Sequence, residues 1–150
     1  AVTYRGSIAI FNHAAIRNVE VFYITNRAEA ERDGTLKNLR VLGFPYADEA
    51  HLLLMKETSD KEARRQEVLK NYEVIMYIGD NLNDFSKVFY KLSQEERNKK
   101  TDDLSREFGS RFIVLPNSGY GNWESAMPGY KSGMTPEEKD AIFMKNLQKY

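Results

Sequence analysis

The sequence contains no cysteine and only two histidines, His13 and His51. Without cysteine the chain cannot form a disulfide framework, a zinc–thiolate site, an iron–sulfur cluster or a thiol nucleophile. Two isolated histidines are too few for a histidine-rich metal site, and we expect both to be structural. No apolar run reaches the roughly 18 residues that a membrane-spanning helix requires.

The sequence also has no excess of either charge. The 22 Lys and Arg residues match 22 Asp and Glu residues, so the formal net charge is zero. Together with the lack of a long basic run, this argues against a nucleic-acid polymer or an anionic membrane surface as the main partner. A chain of 150 residues with 41% hydrophobic and 29% charged residues is typical of one globular domain.

Short apolar runs alternate with segments of helical character, which predicts an α/β fold with a parallel sheet. Two of the runs are almost unbroken, as expected of strands that are covered on both faces. The four predicted strands are residues 19–25, 52–55, 74–78 and 112–115. Helices are expected near residues 8–16 and 35–42.

Three further helix starts carry a capping box, in which a hydroxyl and a Glu three residues later bond each other's backbone amides. The boxes are Ser59 with Glu62, Ser93 with Glu96, and Thr135 with Glu138. The helix after Ser93 is charged throughout and predicts a solvated face with few buried contacts. Residues 117–133 form the one long irregular stretch, and such stretches are often functional.

Ligands of parallel α/β sheets bind just beyond the carboxyl ends of the strands. Thr25, Asn26 and Arg27 follow the first predicted strand, and a turn from Gly79 to Asp84 follows the third. Thr25 and Asp80 are far apart along the chain, yet strand-end placement predicts that they share one rim of the sheet.

Asp80 and Asp84 are candidate ligands of a hard cation such as Mg²⁺, which binds one or two carboxylates together with waters and phosphate oxygens. The alternative is that Asp80 and Asn81 make an ordinary turn and Asp84 caps the next helix. The spacing by itself leaves both interpretations open.

Lys61 is a candidate phosphate ligand. The Ser59 box places it in the first turn of a helix, where a cation is disfavoured by about 0.3–1 kcal/mol unless an anion is near. The alternative is an exposed lysine in water. Thr25 could bind a phosphate oxygen through its hydroxyl and amide, whereas Arg27 is more typical of a surface charge.

Tyr120 and Trp123 offer aromatic faces for stacking on a base or another ring. They could instead pack beneath their own loop, and for Trp123 we expect that packing.

Four motifs, in this order and spacing, resemble the class C nonspecific acid phosphatases, the bacterial 5′-nucleotidase lipoprotein family of the haloacid dehalogenase (HAD) superfamily. The resemblance extends from about Gly6 to the last helix. It implies a HAD-like Rossmannoid three-layer sandwich with a mainly parallel sheet. The motifs are VFYITNR (21–27), DKEARRQEV (60–68), YIGDNLNDF (77–85) and LPNSGYGNWE (115–124).

The resemblance implies roles at matching positions. Thr25 corresponds to the hydroxyl that binds the phosphoryl group, with Asn26 beside it. Lys61 corresponds to the lysine that neutralises the phosphate and the nucleophile. Arg64 matches a recurring family position to which no role is assigned.

For the metal site, Asp80 corresponds to the carboxylate that binds Mg²⁺. Asp84 corresponds to the second carboxylate of the same motif, which lies behind the ligand and does not itself bind the metal. Tyr120 corresponds to the aromatic residue that stacks on the nucleoside or aromatic leaving group.

The first family motif, D-x-D, supplies the nucleophile and the general acid and base, and it occurs nowhere in this sequence. We expect it upstream of Ala1, on the central strand between those ending at Thr25 and Asp80. Residues 1–150 would then be the carboxyl-terminal part of a single HAD-like domain. A sheet without that strand has exposed edges, so we doubt that these residues fold alone.

The resemblance implies a Mg²⁺-dependent phosphomonoester hydrolase that acts through an aspartyl-phosphate on nucleoside monophosphates or aromatic phosphates. It also implies a bacterial envelope protein, periplasmic or held at the outer membrane by an upstream lipid anchor. One alternative is a non-catalytic binding or storage protein on the same scaffold. Another is a phosphohydrolase of non-nucleotide substrates.

Overall fold

The structure, a computed structural model, describes residues 6–147. The chain divides into two compact units, one ending at Tyr72 and one beginning at Glu73, and each is described by itself. Among the residues described, no helix is long and apolar enough to cross a membrane.

The first unit is built around a parallel pair of strands. Tyr23 pairs with Leu52 and Ile24 with Leu53, and an irregularity precedes the pairing of Ala28 with Met55. A short 3₁₀ turn, Glu29–Glu31, joins the first strand to the second helix. The elements are α1 (Ser7–Ile16), β1 (Tyr23–Ala28), α2 (Arg32–Val41), β2 (Leu52–Met55) and α3 (Glu62–Leu69).

The core of this unit lies between β2 and α2. Leu52 and Leu54 share one face of β2 because side chains alternate along a strand, and both are buried with Leu36. Burial of a leucine side chain stabilises the fold by about 1.5–3 kcal/mol. Tyr23 packs against this cluster, and burial raises the pKa of its hydroxyl, which donates a hydrogen bond to the carbonyl oxygen of Pro45.

Both histidines lie in the first unit, His13 on α1 and His51 just before β2. His51 lies between two carboxylates, with its Nδ1 2.7 Å from Asp48 and its Nε2 3.0 Å from Glu20. The rings of Phe22 and Tyr46 each lie 4.8 Å from its imidazole. These contacts tie the entry of β1 to the entry of β2, which is a structural role.

The second unit contains another parallel pair of strands, with Tyr77 opposite Phe112, Ile78 opposite Ile113 and Gly79 opposite Val114. Two 3₁₀ turns, Leu82–Asp84 and Lys87–Phe89, follow the first of these strands. The elements are β3 (Tyr77–Gly79), α4 (Gln94–Asp103), β4 (Phe112–Val114), α5 (Asn122–Ala126) and α6 (Pro136–Asn146).

Phenylalanines form the core of the second unit. Phe85 stacks on Phe112 with ring centroids 5.1 Å apart, and Phe108 meets the edges of both rings. Phe89 is fully buried. This aromatic core anchors the residues that follow β3, because Phe85 directly follows the first 3₁₀ turn and Phe89 is the last residue of the second.

The predicted parallel α/β fold is confirmed. The strand predicted at 52–55 has the predicted bounds, and the capping boxes of Ser93 and Thr135 both form. Among the described residues, the ladders join β1 to β2 and β3 to β4.

Three sequence predictions were wrong in detail. The first strand begins at Tyr23 rather than Val19, because its pairing with β2 begins there. Ile75 and Met76, expected in a strand covered on both faces, are 60% and 44% exposed, since no ladder of the described residues includes them. The stretch 117–133 is partly helical, because α5 forms within it.

Candidate active site

Thr25 and Asn26 lie in the middle of β1, at the irregularity in its pairing with β2, and the strand continues to Ala28 rather than ending at Thr25 as predicted. The Thr25 hydroxyl accepts a hydrogen bond from the amide of Arg27 at 3.3 Å. A hydroxyl that accepts a bond in this way keeps its own proton, which it can donate to an oxyanion. Thr25 is half-buried and Asn26 is exposed. Arg27 turns to α2 and donates to the hydroxyl of the buried Thr35 at 3.1 Å, which favours its structural interpretation.

Lys61 occupies the N-cap position of α3, immediately before the first helical turn. The prediction that Ser59 caps this helix was wrong, because Lys61 holds the N-cap position and the Oδ1 of Asp60, not Ser59, accepts from the amide of Glu62 at 2.9 Å. The amide of Asp60 in turn donates to the Thr58 hydroxyl at 3.1 Å. The half-buried Lys61 thus lies at the amino-terminal end of α3.

Arg64 connects the segments that carry Thr25 and Lys61. It lies on α3 and donates hydrogen bonds to the carbonyl oxygen of Thr25 and the amide oxygen of Asn26. It also donates to the carbonyl oxygens of Thr58 and Asp60. The Arg64 side chain therefore joins Thr25 and Asn26, two predicted phosphate ligands, to Asp60, which directly precedes the third, Lys61.

Asp80 directly follows β3 and is half-buried. Its Oδ2 accepts a hydrogen bond from the Asn117 amide group at 2.8 Å. Asn117 belongs to the loop after β4, and its own Oδ1 accepts from the amides of Gly119 and Tyr120 at 2.9 and 3.4 Å. Residues that follow two neighbouring parallel strands therefore meet at their carboxyl ends, as the strand-end rule predicts for this pair.

Asp84 closes the turn that begins at Asp80. Its Oδ2 accepts from the amide of Asn81 at 3.2 Å, while the Asn81 side chain accepts from the amide of Asn83 at 3.4 Å. The turn packs tightly: a Cβ added at Gly79 would lie 2.5 Å from the Asp84 Cβ. The alternative interpretation of the spacing is correct for Asp84, which caps the 3₁₀ turn that follows Asn81.

The donor chemistry of this turn fits Mg²⁺. Carboxylate and amide oxygens are the hard ligands that Mg²⁺ binds, and it needs only one or two carboxylates because waters complete its coordination. Within residues 6–147, no group of three or more His, Cys, Asp or Glu residues could hold a metal by itself. Asp80 can therefore supply one ligand of a site but not a whole coordination shell.

The loop between β4 and α5 presents Tyr120 outward. Its side chain is 68% exposed, so its ring is available for stacking. Trp123 is half-buried, and its Nε1 donates to the carbonyl oxygen of Tyr120 at 3.2 Å. The packing expected of Trp123 is confirmed. A Cβ added at Gly121 would lie 3.0 Å from the Asn81 side chain, so this loop rests directly on the Asp80 turn.

Two residues that hold this turn were not predicted to do so. Asn117 lies in the LPNSGYGNWE motif, but the sequence analysis assigns it no role, and Arg97 belongs to the helix predicted to be solvated. Arg97 is only 5% exposed, and its Nη1 donates to the Asn83 side chain at 3.1 Å and to the Phe89 carbonyl at 3.2 Å. Burial lowers the pKa of Arg97. Helical charge patterning could not distinguish it from its exposed neighbours.

A cavity of about 210 Å³ lies elsewhere in the second unit, lined by residues of α5, α6 and the segment between them. Tyr130, Lys131 and Phe143 are among its lining residues, and none of the predicted site residues is. The Asp80 turn, which has the carboxylate chemistry, is therefore the candidate site in this unit.

Comparison with known proteins agrees with the sequence motifs. The family model of HAD superfamily subfamily IIIB (acid phosphatase) matches residues 1–123. A solved class C acid phosphatase from Bacillus anthracis is 36% identical with a TM-score of 0.89, over 97% of this chain and 61% of that one. A class C acid phosphatase from the same organism with tungstate bound is 36% identical, with a TM-score of 0.90 and the same coverage.

The chain therefore spans about 61% of the length of these structures. The family match covers most of the chain and includes the β1 end, α3 and the Asp80 turn. The resemblance to class C acid phosphatases and the HAD-like α/β fold are confirmed. The chain belongs to the acid phosphatase family that forms subfamily IIIB of the HAD superfamily.

Proposed function

We propose that the protein containing this chain hydrolyses phosphomonoesters with the help of Mg²⁺. The observation that carries the proposal is the Asp80 carboxylate, held at the carboxyl end of β3 by Asn117 from the loop after β4. A relative with tungstate bound supports it, because tungstate is a tetrahedral oxyanion like phosphate.

Thr25, Asn26 and Lys61 are the proposed phosphate ligands. The Thr25 hydroxyl can donate to a phosphate oxygen, and the Lys61 ammonium can neutralise part of its charge. Catalysis of phosphoryl transfer depends mainly on positioning and on such charge stabilisation. A phosphate near Lys61 would also remove the penalty of placing a cation at the amino-terminal end of α3.

Asp80 is the proposed metal ligand, and Asp84 keeps the turn in shape behind it. A bound Mg²⁺ supplies charge neutralisation for the phosphate and for the carboxylates around it. The protein's part is to hold the Asp80 carboxylate at the end of β3, where the Asn117 side chain donates to its Oδ2.

The proposed chemistry is displacement at phosphorus by an aspartate carboxylate, with loss of the alcohol, followed by attack of water on the aspartyl-phosphate. This chain has no D-x-D sequence, so the nucleophile and the general acid belong to residues outside it. Residues 1–150 are proposed to be the carboxyl-terminal part of that single domain.

Tyr120 is proposed to stack on a nucleoside or aromatic leaving group, because its ring is exposed beside the Asp80 turn. Base stacking of this kind contributes about 1–3 kcal/mol. Aromatic phosphates and nucleoside monophosphates should therefore be better substrates than alkyl phosphates. We also propose that the protein is located in the bacterial cell envelope.

The test is the variant Asp80→Asn in the full-length protein, assayed with an aromatic phosphate and a nucleoside monophosphate over a Mg²⁺ titration. We expect hydrolysis to fall by on the order of 10²–10³, the loss typical when a group that stabilises developing charge is removed. The fold should persist, because Asn can still pair with Asn117. The matched control is Asp102→Asn, on an exposed position of α4.

Full activity in Asp80→Asn would remove Asp80 from the site. A wild-type protein that binds inorganic phosphate without turning over either ester would instead favour a binding or storage role on this scaffold.

A further inference from the structure

We propose that Arg64 is a positioning residue, which holds Thr25 and Asn26 of β1 and the segment before Lys61 in one fixed arrangement. The inference rests on the proposed function, since Thr25, Asn26 and Lys61 are the phosphate ligands of that proposal. All of the residues involved lie in the first unit.

The contacts of Arg64 fall on these two segments. Its Nη1 donates to the Thr25 carbonyl oxygen, and its Nη2 lies 2.8 Å from the Asn26 amide oxygen. The same Nη2 lies 3.3 Å from the Thr58 carbonyl oxygen and 3.2 Å from the Asp60 carbonyl oxygen. One guanidinium thus bridges the middle of β1 to the segment that precedes Lys61.

The bond to Thr25 also orients the amide of Asn26. A trans peptide unit is planar, so its C=O and the following N–H point in opposite directions. With the Thr25 carbonyl directed at Arg64, the Asn26 N–H points away from the guanidinium. Arg64 therefore acts as a clamp: it determines the direction of the Asn26 N–H without contacting a phosphate itself.

The planar fork of arginine suits this task. A guanidinium presents five N–H donors in a rigid plane, whereas the lysine ammonium is a point charge on a flexible stem. Two nitrogens of Arg64 donate hydrogen bonds to four oxygens, which belong to two segments of the chain. A lysine at this position could contact one segment but could not hold both with the same geometry.

The charge of Arg64 is also left largely uncancelled. Its four acceptors are neutral oxygens, and no salt bridge to it occurs in the part of the chain that the structure describes. Burial lowers the pKa of Arg64, although the nearby Asp60 charge opposes that shift. The adjacent Arg65 differs, because it is buried and paired with Glu62 at 2.5 Å. Arg64 thus adds positive potential beside the proposed phosphate ligands.

The test compares Arg64→Lys and Arg64→Met in the full-length protein with the control Arg40→Met. Arg40 is another arginine of the first unit that donates to a backbone carbonyl, that of Ala47 at 2.8 Å, and it touches none of the site residues. Four quantities are measured: kcat and KM for an aromatic phosphate, inhibition by inorganic phosphate, amide hydrogen exchange, and thermal stability.

We expect Arg64→Met to lower kcat by about 10–100-fold, the size of effect seen when the partner that orients a ligand is removed. Inhibition by inorganic phosphate should weaken by about 10-fold or more on the same grounds. Amide exchange should accelerate in residues 25–27 and 58–61, and the rest of the unit should keep its protection. Arg64→Lys should lie between wild type and Arg64→Met, and Arg40→Met should change none of the site readouts.

Unchanged kcat, KM and phosphate inhibition in a folded Arg64→Met protein would overturn the inference. If Arg64→Met does not fold, Arg64→Lys decides by the same readouts. A wild-type protein that hydrolyses no phosphomonoester would refute the proposed function instead. Amide exchange would still show in that case whether Arg64 clamps these two segments.

Discussion

Replacement of Gly79 by alanine adds only one methyl group, but it should distort the Asp80 turn. The added Cβ would lie 2.5 Å from the Cβ of Asp84, 2.6 Å from its Oδ2 and 2.9 Å from its Cγ. Carbon atoms in contact prefer about 3.5–4.0 Å, so one residue must move by roughly 1 Å. Because the closest atom is a Cβ, a rotamer change of Asp84 cannot relieve the clash, and backbone must shift.

Both backbones are held in place. The Gly79 carbonyl accepts from the amide of Leu115 at 2.8 Å, and the amide of Asp84 donates to the Asn81 carbonyl at 2.8 Å. Overpacking at a site that cannot relax costs about 1–3 kcal/mol. A displacement of about 1 Å in a catalytic group can also lower the rate by on the order of 10²-fold.

The assay is chemical unfolding of the full-length Gly79→Ala variant, together with its activity over a Mg²⁺ titration. We expect the free energy of unfolding to fall by about 1–3 kcal/mol and the activity to fall more than stability alone explains. The control is Gly34→Ala in α2, where nothing lies within 4 Å of the added Cβ. In a helix interior that change should stabilise by about 0.5–1 kcal/mol.

A Gly79→Ala protein with wild-type stability and wild-type Mg²⁺ dependence would refute this reasoning. It would show that the turn can shift without cost and that the approach of Asp84 to Gly79 has no functional importance.

Two further predictions concern residues outside the proposed chemistry. Burial lowers the pKa of His51, but its hydrogen bonds to Asp48 and Glu20 outweigh this and raise it overall, while the bonds to His51 lower the pKa of both carboxyls. The stabilisation from His51 should therefore be complete below its ordinary pKa of 6.5 and vanish as pH rises through the raised pKa. The stabilisation from the two carboxyls should vanish in acid. Unfolding free energies of wild type and His51→Gln that fall in parallel above pH 6.5 would contradict this prediction. Arg97→Met should lower the free energy of unfolding by about 1–3 kcal/mol, because the buried Phe89 carbonyl loses its charged donor. In the same assay, the exposed control Arg106→Met should change the free energy of unfolding by no more than about 0.5 kcal/mol.

Local features were predicted well from the sequence. The capping boxes at Ser93 and Thr135 form as expected, because such a box depends on only four consecutive residues. The strand at 52–55 was predicted with its bounds because its apolar run is short and bounded on both sides. Ser59 failed as a cap because the neighbouring Asp60 offers a competing acceptor, and spacing alone does not decide between adjacent polar residues.

The site was predicted in part. The motifs identified the family. Strand-end placement predicts that Thr25 and Asp80 share one rim of the sheet, and that stays a prediction. The partners that hold the site were not predictable. Arg64 lies 39 residues from Thr25, and Asn117 lies 37 residues from Asp80. No sequence period links positions so far apart, since their meeting depends on how the strands pair.

By itself, the sequence determined the family and the alternation of strands and helices, and it supplied the candidate site residues, because these follow from local pattern and residue type. Only the tertiary structure decided what holds those side chains in place. Arg64 became a clamp and Arg97 a buried support because packing brought distant carbonyl groups within reach of their guanidinium groups. A hydrogen bond acts over about 3 Å, so its partners are known only once the chain has folded.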